Sequence, residues 1–207
     1  MNICHIFAGG ELGNVSREWF AAHEGTVICA DCGLRHAEKL CLTPDIAMGD
    51  FDSFEGELPC RAEIIRFKPE KDDTDTLLAV KLAIERGFGR IYLYGALGGE
   101  RFDHTFANLQ TMLYAQNHSA ELVLVGNELV FMQGAGERDY LRSDGGKYFS
   151  VLAFTDTVQI RSLSGVKYPL ENYTMSSSYP IGVSNEITGT SAHLAIDSGV
   201  ALVIQPR

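Results

Sequence analysis

The first 126 residues alternate between two patterns, and that alternation limits the fold more than any other feature of the chain. Short apolar runs at residues 3–8, 26–30, 46–48, 62–67, 90–94 and 121–125 each end at a Gly, an Asp or a Lys-Pro pair. Such runs, rich in Val and Ile and bounded by turn residues, read as buried strands of a parallel sheet. Helical patterns fill the gaps. Residues 74–86 follow the capping candidates Asp73 and Thr74, carry Lys81 and Glu85 on an outer face, and stop at Gly87. Residues 103–116 place Phe106, Leu109, Met112 and Leu113 on one stripe, expected to be the buried one. Residues 15–23 and 34–40 are shorter candidates. Repeated strand–helix–strand units imply right-handed crossovers, so the residues that follow the strands gather at one edge of the sheet.

After about residue 128 helical periodicity disappears. Short runs at 149–154, 158–160, 193–196 and 201–204 are separated by turn signals, and Asp197-Ser198-Gly199 reads as a tight hairpin between the last two. The polar segment 137–146, with Gly145-Gly146, reads as an inter-domain link. The expected fold is α/β. A mostly parallel, Rossmann-like sheet domain spans residues 1–136, and a smaller all-β sandwich domain spans 137–207.

The chain of 207 residues is 45% hydrophobic and 21% charged, which suits a packed core and argues against disorder. A net charge of −10 argues against a nucleic-acid partner, which calls for a basic stripe. An acidic protein still binds polyphosphate when a metal mediates the contact. No apolar stretch is long enough to span a bilayer, so no membrane partner is expected. Met1-Asn2-Ile3-Cys4-His5 lacks a basic n-region and cleavage site, which reads as no secretory signal. The five cysteines are odd in number and fall in the first third, as expected of reduced thiols in a cytoplasmic protein. Cys29 and Cys32 form a lone C-x-x-C with no second pair to complete a zinc site, so they read as thiols at a strand end.

Three clusters follow strands and carry the chemistry: Gly49-Asp50-Phe51-Asp52-Ser53, Lys71-Asp72-Asp73-Thr74-Asp75 and Gly98-Gly99-Glu100-Arg101-Phe102-Asp103-His104. Crowded acids raise one another's pKa unless a positive group sits among them, and a hard divalent cation such as Mg²⁺ is the usual partner. Each cluster has a plainer reading. Gly-Asp and Asp-Ser are ordinary turn pairs, and acids at a helix start cap it and offset its dipole. Capping needs one or two acids, however, and the second cluster has three beside a lysine. Gly98-Gly99 frees backbone amides to approach phosphate, and the planar fork of Arg101 suits a phosphate clamp. Gly9-Gly10 is a weak phosphate-loop signal; neither the G-x-G-x-x-G fingerprint nor a P-loop motif is present.

In this order and spacing the clusters resemble the thiamine pyrophosphokinase (thiamine diphosphokinase) family. Asp31-Cys32-Gly33, Pro44-Asp45 and Gly95 through His104 with Asn108 carry the likeness together with the acidic clusters. Residues 165–170 and 182–186 extend it into the second half. The resemblance implies an α/β catalytic domain, a thiamine-binding β-sandwich, and a homodimer with active sites between subunits. It implies ATP and thiamine as substrates, thiamine diphosphate and AMP as products, and Mg²⁺ as cofactor. Asp50, Asp52 and Asp75 correspond to metal-site carboxylates. Lys71, Asp72, Arg101 and Asp103 correspond to residues around the polyphosphate, where they act in catalysis. Gly9, Gly10, Asp31, Thr74, Gly98, Gly99 and Asn127 are the residues expected to meet ATP. Ser184 and Asn185 fall in the region that meets thiamine. Some family members place a tryptophan against thiamine; the only tryptophan here is Trp19, which leaves Tyr168 or Tyr179 as the aromatic.

Under this reading the thiamine hydroxyl attacks the β-phosphorus of ATP and AMP leaves. Lys71 and Arg101 assist the metal in neutralising the charge, and Asp72 or Asp103 accepts the proton. Two other classes fit the residues alone: another metal-dependent transferase or phosphohydrolase on the same rim, and a non-catalytic nucleotide sensor.

Overall fold

A computed structural model describes residues 2–52, 54, 56–68 and 72–207. The chain divides into two compact units, Met1–Asn127 and Glu128–Arg207. Lys71, expected near the polyphosphate, and Ser53 of the first cluster lie outside the described residues.

The first unit runs β1 (Ile3–Phe7), α1 (Arg17–Ala21), β2 (Thr26–Ala30), a 3₁₀ turn (Asp31–Gly33), α2 (Leu34–Lys39), β3 (Ile46–Gly49) and β4 (Glu63–Arg66). It continues through α3 (Asp75–Glu85), β5 (Arg90–Tyr94), α4 (Phe102–Asn117) and β6 (Glu121–Val125). The strands lie in the order β6-β5-β1-β2-β3-β4, every pairing parallel. The central strands are buried from their second residue onward, as continuous apolar runs require. β4 departs from the expected buried strand. It is the edge strand, paired on one side only, and its residues are largely exposed.

Local chemistry sets the helix limits. The Thr74 hydroxyl accepts from the Leu77 N–H at 3.1 Å and caps α3. At the other end Gly87 takes φ +79°, and the bonds Gly87 N–H to Ile84 O and Phe88 N–H to Ala83 O close a Schellman turn. α4 meets the sequence expectation in part. Met112 is buried and Leu109 and Leu113 are half-buried, but Phe106 is 48% exposed, and Asn108, Thr111 and Ala115 complete the buried face. The polar members of that face are satisfied internally: Asn108 donates to Ala96 O at 2.9 Å and Thr111 to Ala107 O at 3.0 Å. No described helix is long and apolar enough to cross a membrane.

The second unit contains β7 (Glu128–Gln133), β8 (Gly136–Leu141), β9 (Tyr148–Ala153), β10 (Thr157–Ser164), β11 (Leu170–Ser176), β12 (Asn185–Glu186), β13 (Ser191–Ser198) and β14 (Ala201–Pro206). Two antiparallel layers form, β12-β9-β14-β7 and β11-β10-β13-β8. Tyr140 of β8 joins them: its ring lies 5.5 Å from Phe131 and 5.3 Å from Phe149, and its hydroxyl donates to Gln133 Oε1 at 2.9 Å.

Two sequence expectations fail here. The supposed link 137–146 begins inside β8, which pairs with β13 from Gly136 to Leu141. The supposed hairpin at Asp197-Ser198-Gly199 joins strands of different layers, β13 and β14. A Cβ on Gly199 would stand 2.2 Å from Thr157 O, so this crossover packs directly on the β9–β10 crossover beside it.

Candidate active site

In the first unit the strand order reverses between β1 and β5, because the chain leaves β1 toward β2 and leaves β5 toward β6 on the other side. Open α/β sheets bind ligands in the crevice at such a switch point, outside the carboxyl ends of the strands. A cleft of about 630 Å³ opens there. Gly9 and Gly10 after β1, Asp31 after β2, and Thr74 and Asp75 at the start of α3 line it. Gly98, Gly99 and Arg101 after β5 complete the set of expected residues that it gathers.

The carboxylates divide. Asp31 takes φ +47°, and Gly49 comes so close that a Cβ on it would stand 3.2 Å from Asp31 Cα. The end of β3 is thus pressed against the end of β2. The following Asp50 folds into an Asx turn, its Oδ1 accepting from the Asp52 N–H at 3.1 Å. Phe51 anchors that turn: it is buried, holds φ +61°, and packs 5.2 Å beneath the Arg66 guanidinium. Neither Asp50 nor Asp52 lines the cleft, and Asp72 is exposed outside it. Asp73 is paired with Lys81 at 2.5 Å. Among the described residues no three carboxylate, His or Cys side chains gather closely enough to form a metal cluster by themselves.

The third cluster behaves differently from a capping motif. Arg101 occupies the N-cap of α4 without a side-chain cap bond. Its guanidinium instead grips Asp103 through both arms, at 2.6 and 3.3 Å. That contact holds the Asp103 carboxyl below its usual range. Asp103 therefore orients Arg101 and does not itself line the cleft. Asn127 also lies off the cleft; its side chain accepts from the Asn14 N–H at 3.0 Å.

Several cleft residues were given no role from the sequence, although His104 belongs to the third cluster and Asn108 carries part of the family likeness. His104, Thr105 and Asn108 share one face of α4 with Arg101, at the helical spacing i, i+3, i+4, i+7, which is the signal that finds them. Glu11, also in the cleft, gives no such signal. His36 lies behind the lining, its Nε2 2.7 Å from Gly10 O. Cys29 is buried, which pushes its thiol up to about 12, while half-buried Cys32 lines the cleft.

Tyr168, Ser184 and Asn185 belong to the second unit. Asn185 is buried, with both ends of its amide engaged. It donates to Tyr168 O at 2.9 Å and accepts from the N–H groups of Tyr168 at 3.0 Å and Glu186 at 2.8 Å. Tyr168 is 61% exposed, with the Lys167 ammonium 5.4 Å from its ring centre. Ser184 is exposed at φ +58°, its N–H donating to Ser150 Oγ at 3.0 Å.

A doubly wound α/β unit with its cleft at the switch point, followed by an antiparallel sandwich, defines a two-domain α/β protein of the ligand-binding kind. Residues 18–124 match the catalytic domain of thiamin pyrophosphokinase, and residues 139–201 match its vitamin B1 binding domain. The chain belongs to the thiamin pyrophosphokinase family and is an enzyme of that class. It is 28% identical over 193 residues to thiamine pyrophosphokinase of Bacillus subtilis (strain 168), covering 90% of this chain and 86% of that one. It is 27% identical over 171 residues to thiamin pyrophosphokinase 1 of Caenorhabditis elegans, covering 78% and 70%. The crystal structure of the Bacillus subtilis thiamine pyrophosphokinase superposes with a TM-score of 0.87 at 25% identity, covering 99% of each chain. That of the Geobacillus thermodenitrificans thiamin pyrophosphokinase gives 0.85 at 27% identity, covering 99% and 97%.

Proposed function

We propose that the chain transfers the pyrophosphoryl group of ATP to the hydroxyl of thiamine, giving thiamine diphosphate and AMP. The observation that carries this reading is the match of both halves to the two domains of one family, with a cleft at the switch point of the first.

Within the cleft Gly9, Gly10, Gly98 and Gly99 form the glycine backbone that lies along the polyphosphate, with Thr74 and Asp31 at its side. Arg101 clamps phosphate oxygens, and Asp103 holds its fork in one orientation. The Asp103 carboxyl is taken up by the Arg101 guanidinium, so the role of proton acceptor goes to Asp72. Lys71 assists Arg101. Tyr168, Ser184 and Asn185 of the second unit meet thiamine: the Tyr168 ring offers a face to the cationic thiazolium, and Asn185 fixes the backbone that carries it.

The donors near the cleft suit Mg²⁺. Asp31, Asp50, Asp52 and Asp75 supply oxygen only, and Mg²⁺ takes one or two carboxylates with phosphates and waters completing the shell. Asp75 projects from the first turn of α3 into the cleft, and the Gly49–Asp31 approach brings the Asp50 turn against Asp31. Bound there, Mg²⁺ would neutralise charge on the transferred group and the leaving oxygen. The family likeness extends the proposal to a cytoplasmic homodimer with active sites between subunits.

Incubation with ATP, Mg²⁺ and thiamine, followed by chromatography of the nucleotides, tests the reaction. AMP formed only when thiamine is present supports it; ADP, free phosphate or no turnover overturns it.

A further inference from the structure

Gly10 is held from two sides. Its N–H donates to Gly95 O at 3.0 Å, which ties it to the loop after β5. Its carbonyl lies 2.7 Å from Nε2 of His36 on α2. A carbonyl only accepts, so Nε2 carries the hydrogen and donates it. The neighbouring Gly9 passes close to Cys32: a Cβ there would stand 3.2 Å from the Cys32 Cβ. Both polar backbone atoms of Gly10 are therefore occupied, one toward β5 and one toward α2.

A histidine near the end of a short helix commonly serves its own last carbonyls. His36 instead spends Nε2 on a carbonyl 26 residues away. That carbonyl belongs to the loop lining the cleft. An oxygen that turned into the cleft would set its partial negative charge against phosphate.

We infer that His36 is a positioning residue for the nucleotide: by holding the Gly10 carbonyl against α2, it keeps that oxygen out of the path of the phosphates. The inference rests on the reading that this cleft takes ATP. His36 touches neither substrate nor reacting atoms in this role, and it is distinct from the carboxylates and from Arg101.

Two variants of the full chain test it. His36→Gln keeps an N–H donor at about the reach of Nε2, while His36→Met keeps bulk without a donor. Titration calorimetry with Mg·ATP and steady-state kinetics with both substrates are the measurements. Losing one well-placed hydrogen bond should weaken Mg·ATP binding by about tenfold in His36→Met and raise KM for ATP by about as much. KM for thiamine should stay within about twofold, and His36→Gln should recover ATP binding to within about threefold. Wild-type affinity in His36→Met, equal losses in both variants, or parallel shifts in both KM values overturn the inference. If His36→Met melts below the assay temperature, both variants are compared at a lower temperature at which it is folded, and the same outcomes decide. A wild-type chain that binds no Mg·ATP overturns the nucleotide reading and this inference with it, whereas normal wild-type binding beside an unaffected His36→Met overturns the inference alone.

Discussion

Gly10 and Gly95 meet backbone to backbone at the switch point: a Cβ on Gly10 would stand 2.4 Å from Gly95 O. The loops after β1 and β5 therefore share one surface, and a side chain at Gly10 must push them apart. Gly10→Ala should fold, because the loop lies outside the sheet, yet lose turnover on the order of 100-fold, the effect of displacing a positioning element by about 1 Å. Turnover within a few-fold of wild type would show that the loop geometry does not matter.

Asp75 lines the cleft, but the cap of α3 belongs to Thr74. Function and stability can therefore be separated at this residue. Asp75→Asn removes a first-turn charge worth about 0.3–1 kcal/mol to the helix, so the melting temperature should move little. Turnover at saturating Mg²⁺ should fall by on the order of 100-fold or more if the carboxylate helps neutralise charge in the transition state.

His5 yields a pH prediction. It is buried on β1, its Nε2 donating to His23 O at 2.5 Å and its Nδ1 facing the Tyr94 hydroxyl at 2.9 Å. Burial lowers its pKa from 6.5 to about 4. Between those values the unfolded chain binds the proton and the folded chain does not, so stability falls as pH drops from 6.5 toward 4. The loss from this residue alone is about 3 kcal/mol. Denaturant melts of wild type and His5→Phe across that window should differ in slope, with His5→Phe the less pH-sensitive. Equal slopes would assign the acid sensitivity to other groups.

Asn185 makes three partly buried hydrogen bonds around Tyr168 and Glu186. Asn185→Ala strands those backbone groups and should destabilise the second unit by about 2–4 kcal/mol. Thermal melts measure this directly. An unchanged melt would mean that water replaces all three bonds.

The parallel unit was largely legible in the sequence because buried strands and capped helices carry local signatures, as at Thr74 and Gly87. The face of α4 was so only in part: Met112 is buried as expected. Apolar periodicity favours Phe106, but the helix buries Asn108 and Thr111, whose polar atoms find partners on Ala96 and Ala107. The Asp197–Gly199 turn misled for another reason: a glycine turn between alternating strands looks the same whether the strands pair or pass to different layers. At the site, the glycines, Asp31, Thr74, Asp75 and Arg101 could be located because residues following parallel strands must converge. The grip of Arg101 on Asp103 and the clamp of His36 on Gly10 were hidden, since each depends on a backbone path that no spacing rule encodes.

The central claim is pyrophosphoryl transfer, and the fate of the β-phosphorus tests it most directly. With ATP labelled at that atom, and Mg²⁺ and thiamine present, the account predicts the label in thiamine diphosphate, one for one with AMP. Label retained in ADP, with only the γ-phosphoryl group transferred or released, would contradict it.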